Sequence, residues 1–205
     1  MVKIHYLYDP MCGWCFGATP LVEMMYEMAS VQLVMHPGGM IKRREIDSGF
    51  RQMAQSHDQK IALSTGQVFS QAYHERLSGN ESIILDSYIT AQAILVMEKH
   101  YDKGFLMLKS IQQAHYQSAL DTSNPNVLAE IAINLGADKR RWFDLMSAEG
   151  EHSSNTIQKS HMLMQQWNLQ GFPSFIIEKE GKYTRLPHAQ FYNNITGWKA
   201  LLESL

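Results

Sequence analysis

"DPMCGWCFGATP", residues 9–20, holds both cysteines of a 205-residue chain, three positions apart. The stretch before it, "KIHYLYD" (3–9), is rich in aromatic and β-branched side chains. That composition suits a strand, and Pro10 ends it. The stretch after it, "CFGATPLVEMMYEMAS" (15–30), places Leu21, Met24, Met25 and Met28 at helical spacing. "VQLVMHP" (31–37) reads as a second strand, closed by Pro37-Gly38-Gly39. The chain thus opens with a strand–helix–strand unit, and the cysteines lie at its strand-to-helix junction.

From about 40 to 168 the pattern turns helical, with no convincing strand. "GFRQMAQSHDQKIA", "QVFSQAYHERLS", "SYITAQAILVMEKHY" and "GFLMLKSIQQAHYQSA" follow one another, punctuated by Gly79-Asn80 and Gly104. "SNPNVLAEIAINLGAD" has Ser123 or Asn124 as a cap, Pro125 in the first turn and Gly136 past the end. Asp138 caps "KRRWFDLMSAE", and Ser153 or Ser154 opens "TIQKSHMLMQQWN". Strand character returns in "FPSFIIEKEGKYTRL" (172–186), with Glu180-Gly181 as a hairpin turn. A last helix starts at about Asn193. The expected architecture is α/β: a four-stranded βαβ-αββα unit built from 1–39 plus 153–205, interrupted by a large all-helical insertion over 40–152.

The 45% hydrophobic content supports a sizeable core, and a net charge of -2 gives no reason to expect nucleic acid or an anionic membrane as partner. The start "MVKIHYLYD" lacks the apolar stretch of a secretion signal, which suggests a cytoplasmic protein. No run reaches the roughly 20 apolar residues of a membrane span. Oligomeric state is not legible.

In a reducing compartment a close cysteine pair is reactive, metal-bound or incidental. Structural zinc needs four ligands, and the nine histidines include no pair spaced by three to five residues. No metal is therefore expected. Burial as two small hydrophobes is the bland alternative. Redox chemistry explains the spacing directly: residues i and i+3 of a first helical turn bring their α-carbons within the roughly 4.4–6.8 Å a disulfide needs. Unpaired N–H groups at a helix start favour the thiolate, the attacking species in disulfide exchange. Cys12 is then the nucleophile, Cys15 the resolving thiol, and Trp14 an aromatic face for substrate.

"YDPMCGWCFG" (8–17), "LSTGQVFS" (63–70) and "GFPSFII" (171–177) together resemble the DsbA-like branch of the thioredoxin superfamily, in particular its cytoplasmic FrnE-like members, regarded as protein-disulfide isomerases. The resemblance spans essentially the whole chain. It implies a thioredoxin fold with a helical insertion, and a cis-proline at Pro173 facing Cys12 and Cys15. Phe172 would offer backbone groups to an extended substrate. Substrates would be protein or low-molecular-weight disulfides and thiols, with no cofactor beyond glutathione as a co-substrate. Two departures stand out. Tyr6 occupies the position where many relatives carry a buried acid, so proton transfer to Cys15 needs Asp9, water or a residue of the helical block. Gly13-Trp14 differs from the Pro-His of strongly oxidising members, so the potential does not transfer.

Asp9 and His36 are accessory candidates: Asp9 as an orienting group or a mere strand end, His36 as a loop histidine near the site. Arg43 and Arg44 either are solvated or recognise a carboxylate. Two rival functions stay open. One is a glutathione-dependent kappa-type transferase or hydroxychromene-carboxylate isomerase relative, which usually has Ser near the first cysteine position. The other is a redox-silent peptide-binding module.

Overall fold

A computed structural model describes residues 1–205. Strand β1 (Val2–Tyr8) is central. It pairs in parallel with β2 (Val31–Pro37) and antiparallel with β5 (Ser174–Lys179), and β6 (Lys182–Arg185) closes the order β2-β1-β5-β6. Period-two alternation divides β1 between two faces. Ile4, Tyr6 and Tyr8 enter the main core, whereas Leu7 joins a small cluster with Leu169 and Ile176. The edge strand β6 is exposed throughout and carries Lys182 and Arg185, charges that discourage pairing with another chain. Glu180 and Gly181, at φ 51° and 74°, form the expected two-residue hairpin loop.

The helix after the cysteines is broken in two, α1 (Gly13–Gly17) and α2 (Thr19–Glu27). Pro20 explains the break: it has no N–H for the carbonyl of Phe16, and its ring clashes there. Helices α3 (Ser48–Thr65), α4 (Gln71–Ser78), α5 (Ser87–Tyr101), α6 (Gly104–Tyr116), α7 (Pro125–Asn134) and α8 (Lys139–Ala148) fill the inserted block. Side chains of Asp47, Ser70, Asp86, Asn124 and Asp138 accept backbone N–H bonds at five of their starts.

The block is not wholly helical. Strands β3 (Arg44–Glu45) and β4 (Ile84–Leu85) form a two-residue antiparallel ladder that ties its entry to the start of α5. Ile46, Ile83 and Leu85 beside the ladder are buried, so packing maintains a pairing too short to show a sequence period.

Helix α9 (Gly150–Gln166) starts before Ser153 and runs unbroken across the 152/153 boundary read from the sequence. Ser153 does not cap it; the hydroxyl donates back to the Glu149 carbonyl at 2.8 Å, inside the helix. Helix α10 (Ile195–Glu203), capped by Asn194, ends the chain. A core of 38 buried residues runs without interruption from Ile4, Phe175 and Trp198 to Ile61, Phe105, Ile111 and Leu128 of the block. No helix is long and apolar enough to cross a membrane.

Candidate active site

The turn after β1 is organised by Asp9, whose side chain is fully buried. Its Oδ1 accepts from the Met11 N–H at 2.9 Å and the Ser87 hydroxyl at 2.7 Å, and its Oδ2 from the Met40 N–H at 2.5 Å. One carboxylate therefore ties the cysteine turn to the loop after β2 and to the start of α5. Burial pushes the Asp9 carboxyl above its ordinary range, and the three hydrogen bonds oppose that shift. Of the two roles open in the sequence, the orienting one matches this geometry.

Cys12 immediately precedes α1, and its carbonyl accepts from Cys15 N at 3.0 Å. Both cysteines are free thiols, Cys12 8% exposed and Cys15 fully buried. Burial raises the Cys15 thiol well above its ordinary pKa, and the neighbouring Cys12 pushes the same way. The Asp9 N–H, donating to Cys15 Sγ at 3.5 Å, pulls weakly in the other direction. Cys15 accordingly stays protonated at neutral pH.

Cys12 Sγ donates to the Phe172 carbonyl at 3.6 Å, and the Phe172–Pro173 bond is cis. The expected juxtaposition of Cys12 with the Pro173 turn is thus present. The Phe172 ring lies over Gly38, where an added Cβ would come within 2.1 Å of the ring, so this close approach requires glycine.

Two depressions of unlike character share a rim beside Cys12. One is a polar groove of about 830 Å³, lined by Asn168, Gln170, Pro173, Arg185, His188 and Tyr192. The other is a chamber of about 480 Å³ under the helical block, with Cys12, Met40, Phe50, Met53 and Ile61 in its walls. Trp14, Gly171 and Phe172 border both. Trp14 stacks on Tyr192, ring centroids 5.8 Å apart, which holds the indole between them. Arg44 lines the chamber with its guanidinium over the Phe50 ring, whereas Arg43 bonds the Ser123 carbonyl and approaches Asp86.

His36 is not in a loop by the site. It lies within β2, its Nε2 2.9 Å from His5 Nδ1, and packs with Trp167 on the sheet face away from Tyr6 and Tyr8. Burial and the adjacent His5 lower its pKa to about 4. Strand alternation carries it to that face, since Leu7, its partner on β1, points there as well.

No family model and no curated protein matches the chain. Solved structures do. The cytosolic disulfide reductase DsbM from Pseudomonas aeruginosa is 33% identical, superposes with a TM-score of 0.92, and aligns over 98% of this chain and 97% of its own. The same protein solved with GSH gives a TM-score of 0.91 at 33% identity, over 98% of each chain. A candidate protein disulfide isomerase from Nitrosomonas europaea superposes at 0.81 with 21% identity, over 99% of this chain and 96% of its own. The chain belongs to the DsbA-like thiol–disulfide oxidoreductases.

As a DsbA-like enzyme it has the thioredoxin fold with a helical insertion. Several polar residues of its chamber were not singled out from the sequence: Asp58, Tyr73, His115 and Tyr116. The Tyr116 hydroxyl donates to the Met11 carbonyl at 3.0 Å and thereby holds the cysteine turn from the insertion side. Asp58 did carry a signal. It falls on the stripe Phe50, Ala54, Ile61 of α3, an acid where the helical period calls for an apolar residue.

Proposed function

We propose that this enzyme exchanges disulfides through Cys12 and Cys15, acting as a reductase or isomerase on protein and low-molecular-weight disulfides. The observation that carries the proposal is Cys12, the more exposed cysteine, in the wall of the chamber with its Sγ against the Phe172 carbonyl that precedes the cis-proline, and Cys15 buried one turn behind it. The Cys12 thiolate attacks one sulfur of the substrate. A Cys12–substrate bond forms, the substrate S–S bond breaks, and its electron pair leaves on the other sulfur, which takes up a proton. Cys15 then loses its proton and attacks Cys12 Sγ. This releases the second thiol and leaves a Cys12–Cys15 disulfide, two electrons having passed to the substrate. Two molecules of an external thiol restore the pair: the first forms a mixed disulfide, and the second displaces it as the external disulfide.

Glutathione is the proposed co-substrate, supported by the GSH-bound form of the related DsbM. Trp14, Phe172 and Pro173 are the proposed substrate contacts, with the Phe172 main chain offered to an extended peptide. The proposed setting is the cytoplasm, in keeping with the cytosolic relative. The test is trapping. Incubated with glutathione disulfide, Cys15→Ser should accumulate one glutathione adduct, on Cys12, by mass spectrometry. Cys12→Ser should form none and show no turnover. Turnover by Cys12→Ser, or an adduct on Cys15 of the wild type, would overturn the assignment.

A further inference from the structure

Asp58 is the one carboxylate lining the chamber that opens onto Cys12. It is 4% exposed, and no Lys, Arg or His forms an ion pair with it. Its Oδ2 accepts from the Tyr73 hydroxyl at 2.9 Å. Its Oδ1 abuts the residue after Cys12, since a Cβ on Gly13 would lie 3.1 Å from that oxygen. Asp9 has three donors on its carboxylate; Asp58 has one. Tyr6, at the position of the relatives' buried acid, is raised well above its ordinary pKa by burial and cannot accept a proton at neutral pH.

Tyr73 from α4 bonds Asp58; His115 and Tyr116 from α6 and Cys12 from the cysteine turn line the same chamber, and Arg76 of α4 bears on Tyr73 and His115. His57 of its own helix and Arg44 also line the chamber. Arg76 is engaged by the carbonyls of Ala119 and Leu120, and burial keeps His115 neutral by lowering it to about 4. Burial raises Asp58 to about 6, against the Tyr73 hydrogen bond, which lowers it. A carboxyl so poised gains and loses protons near neutrality.

We propose that the chamber receives the departing half of the disulfide and that Asp58 carries its proton. The step rests on Cys12 being the attacking sulfur. The Asp58 carboxylate takes the proton of the Cys12 thiol, directly or through one water, and the thiolate attacks R–S–S–R′. The Cys12–S–R bond forms, the S–S bond breaks, and the electron pair goes to R′S, which receives the proton from Asp58. The carboxylate is regenerated, and no further oxidant or reductant is needed.

Leaving-group chemistry tests it. An aliphatic thiolate needs a proton to depart; a nitrothiobenzoate does not. With bis(2-hydroxyethyl) disulfide, wild-type kcat/KM should show an inflection near pH 6. Asp58→Asn should lose that inflection and fall by about a hundredfold in kcat, with KM little changed. With 5,5′-dithiobis(2-nitrobenzoate) the same variant should fall much less. Tyr73→Phe, which removes one hydrogen bond to the ionised form, should move the inflection upward, and it serves if Asp58→Asn does not fold. An inflection unmoved in either variant, or an equal fall on both disulfides, would overturn the role of Asp58 while Cys12 trapping stands. Turnover in Cys12→Ser would overturn the attacking sulfur, and this proposal with it.

Discussion

Asp9 and Asp58 are both carboxylates withdrawn from water, and their neighbours distinguish them. Asp9 satisfies Met11 N, Met40 N and Ser87 Oγ, so its removal strands buried donors from three segments. Asp9→Ala should cost about 3 kcal/mol or more of stability, read from urea unfolding at neutral pH. A loss well under about 1 kcal/mol would mean that water replaces the carboxylate. Asp58 should show a pH-dependent effect of opposite sign. Its folded pKa of about 6 lies above the ordinary 3.8. The stability it contributes is therefore complete below that ordinary value and is lost as pH rises through about 6. Asp58→Asn, isosteric and neutral, should match wild type at low pH and gain on it by about 3 kcal/mol by pH 8, in urea titrations run at both ends. A constant difference across pH would show that Asp58 ionises freely when folded.

Among the elements, α4 depends on a neighbour for its end. The last carbonyls of a helix have no partner within it. Arg51, from α3, donates to the carbonyls of Arg76 and Leu77, and to Gly79 and Glu81 beyond them. Its planar fork spans acceptors that an ammonium would meet one at a time. Arg51→Ala should cost about 1–2 kcal/mol, and Arg51→Lys should recover less than half of it, by thermal and urea unfolding. Full recovery by lysine would reduce the interaction to charge near a helix terminus. The same α4 carries Tyr73 to Asp58, so the cap acts on the element that bounds the chamber.

For the whole molecule the shared core is decisive. Trp142 lies in α8 of the inserted block and Trp198 in α10, packed on the sheet side, and both are almost fully buried. The core joining them is continuous, so neither part can open without exposing apolar surface of the other. Variants retaining only Trp142 or only Trp198 as the buried reporter should show coincident urea midpoints by fluorescence, matching far-UV circular dichroism. Separate midpoints would show that the block unfolds by itself.

The sequence by itself determined the four strands of the main sheet, most helices and the position of the two cysteines at the strand-to-helix junction. Those features rest on local signals: β-branched and aromatic runs, helical spacing, capping side chains, and two cysteines three residues apart. Helix α5 was legible to its ends because Asp86 caps it and Gly104 opens the next element. The break at Pro20 was also written locally, in a missing N–H. Tertiary structure alone decided what surrounds Cys12. The β3–β4 ladder is two residues long, too short for any period, and exists because Ile46, Ile83 and Leu85 are buried beside it. His36 went to the far face because strand pairing sets which way alternate side chains point. Asp58 lies 46 residues beyond Cys12 and comes to line the same chamber only when α3 packs against α1. Its burial, and hence its proton affinity, comes from helices with no sequence proximity to the cysteines, because desolvation depends on everything packed around a charge.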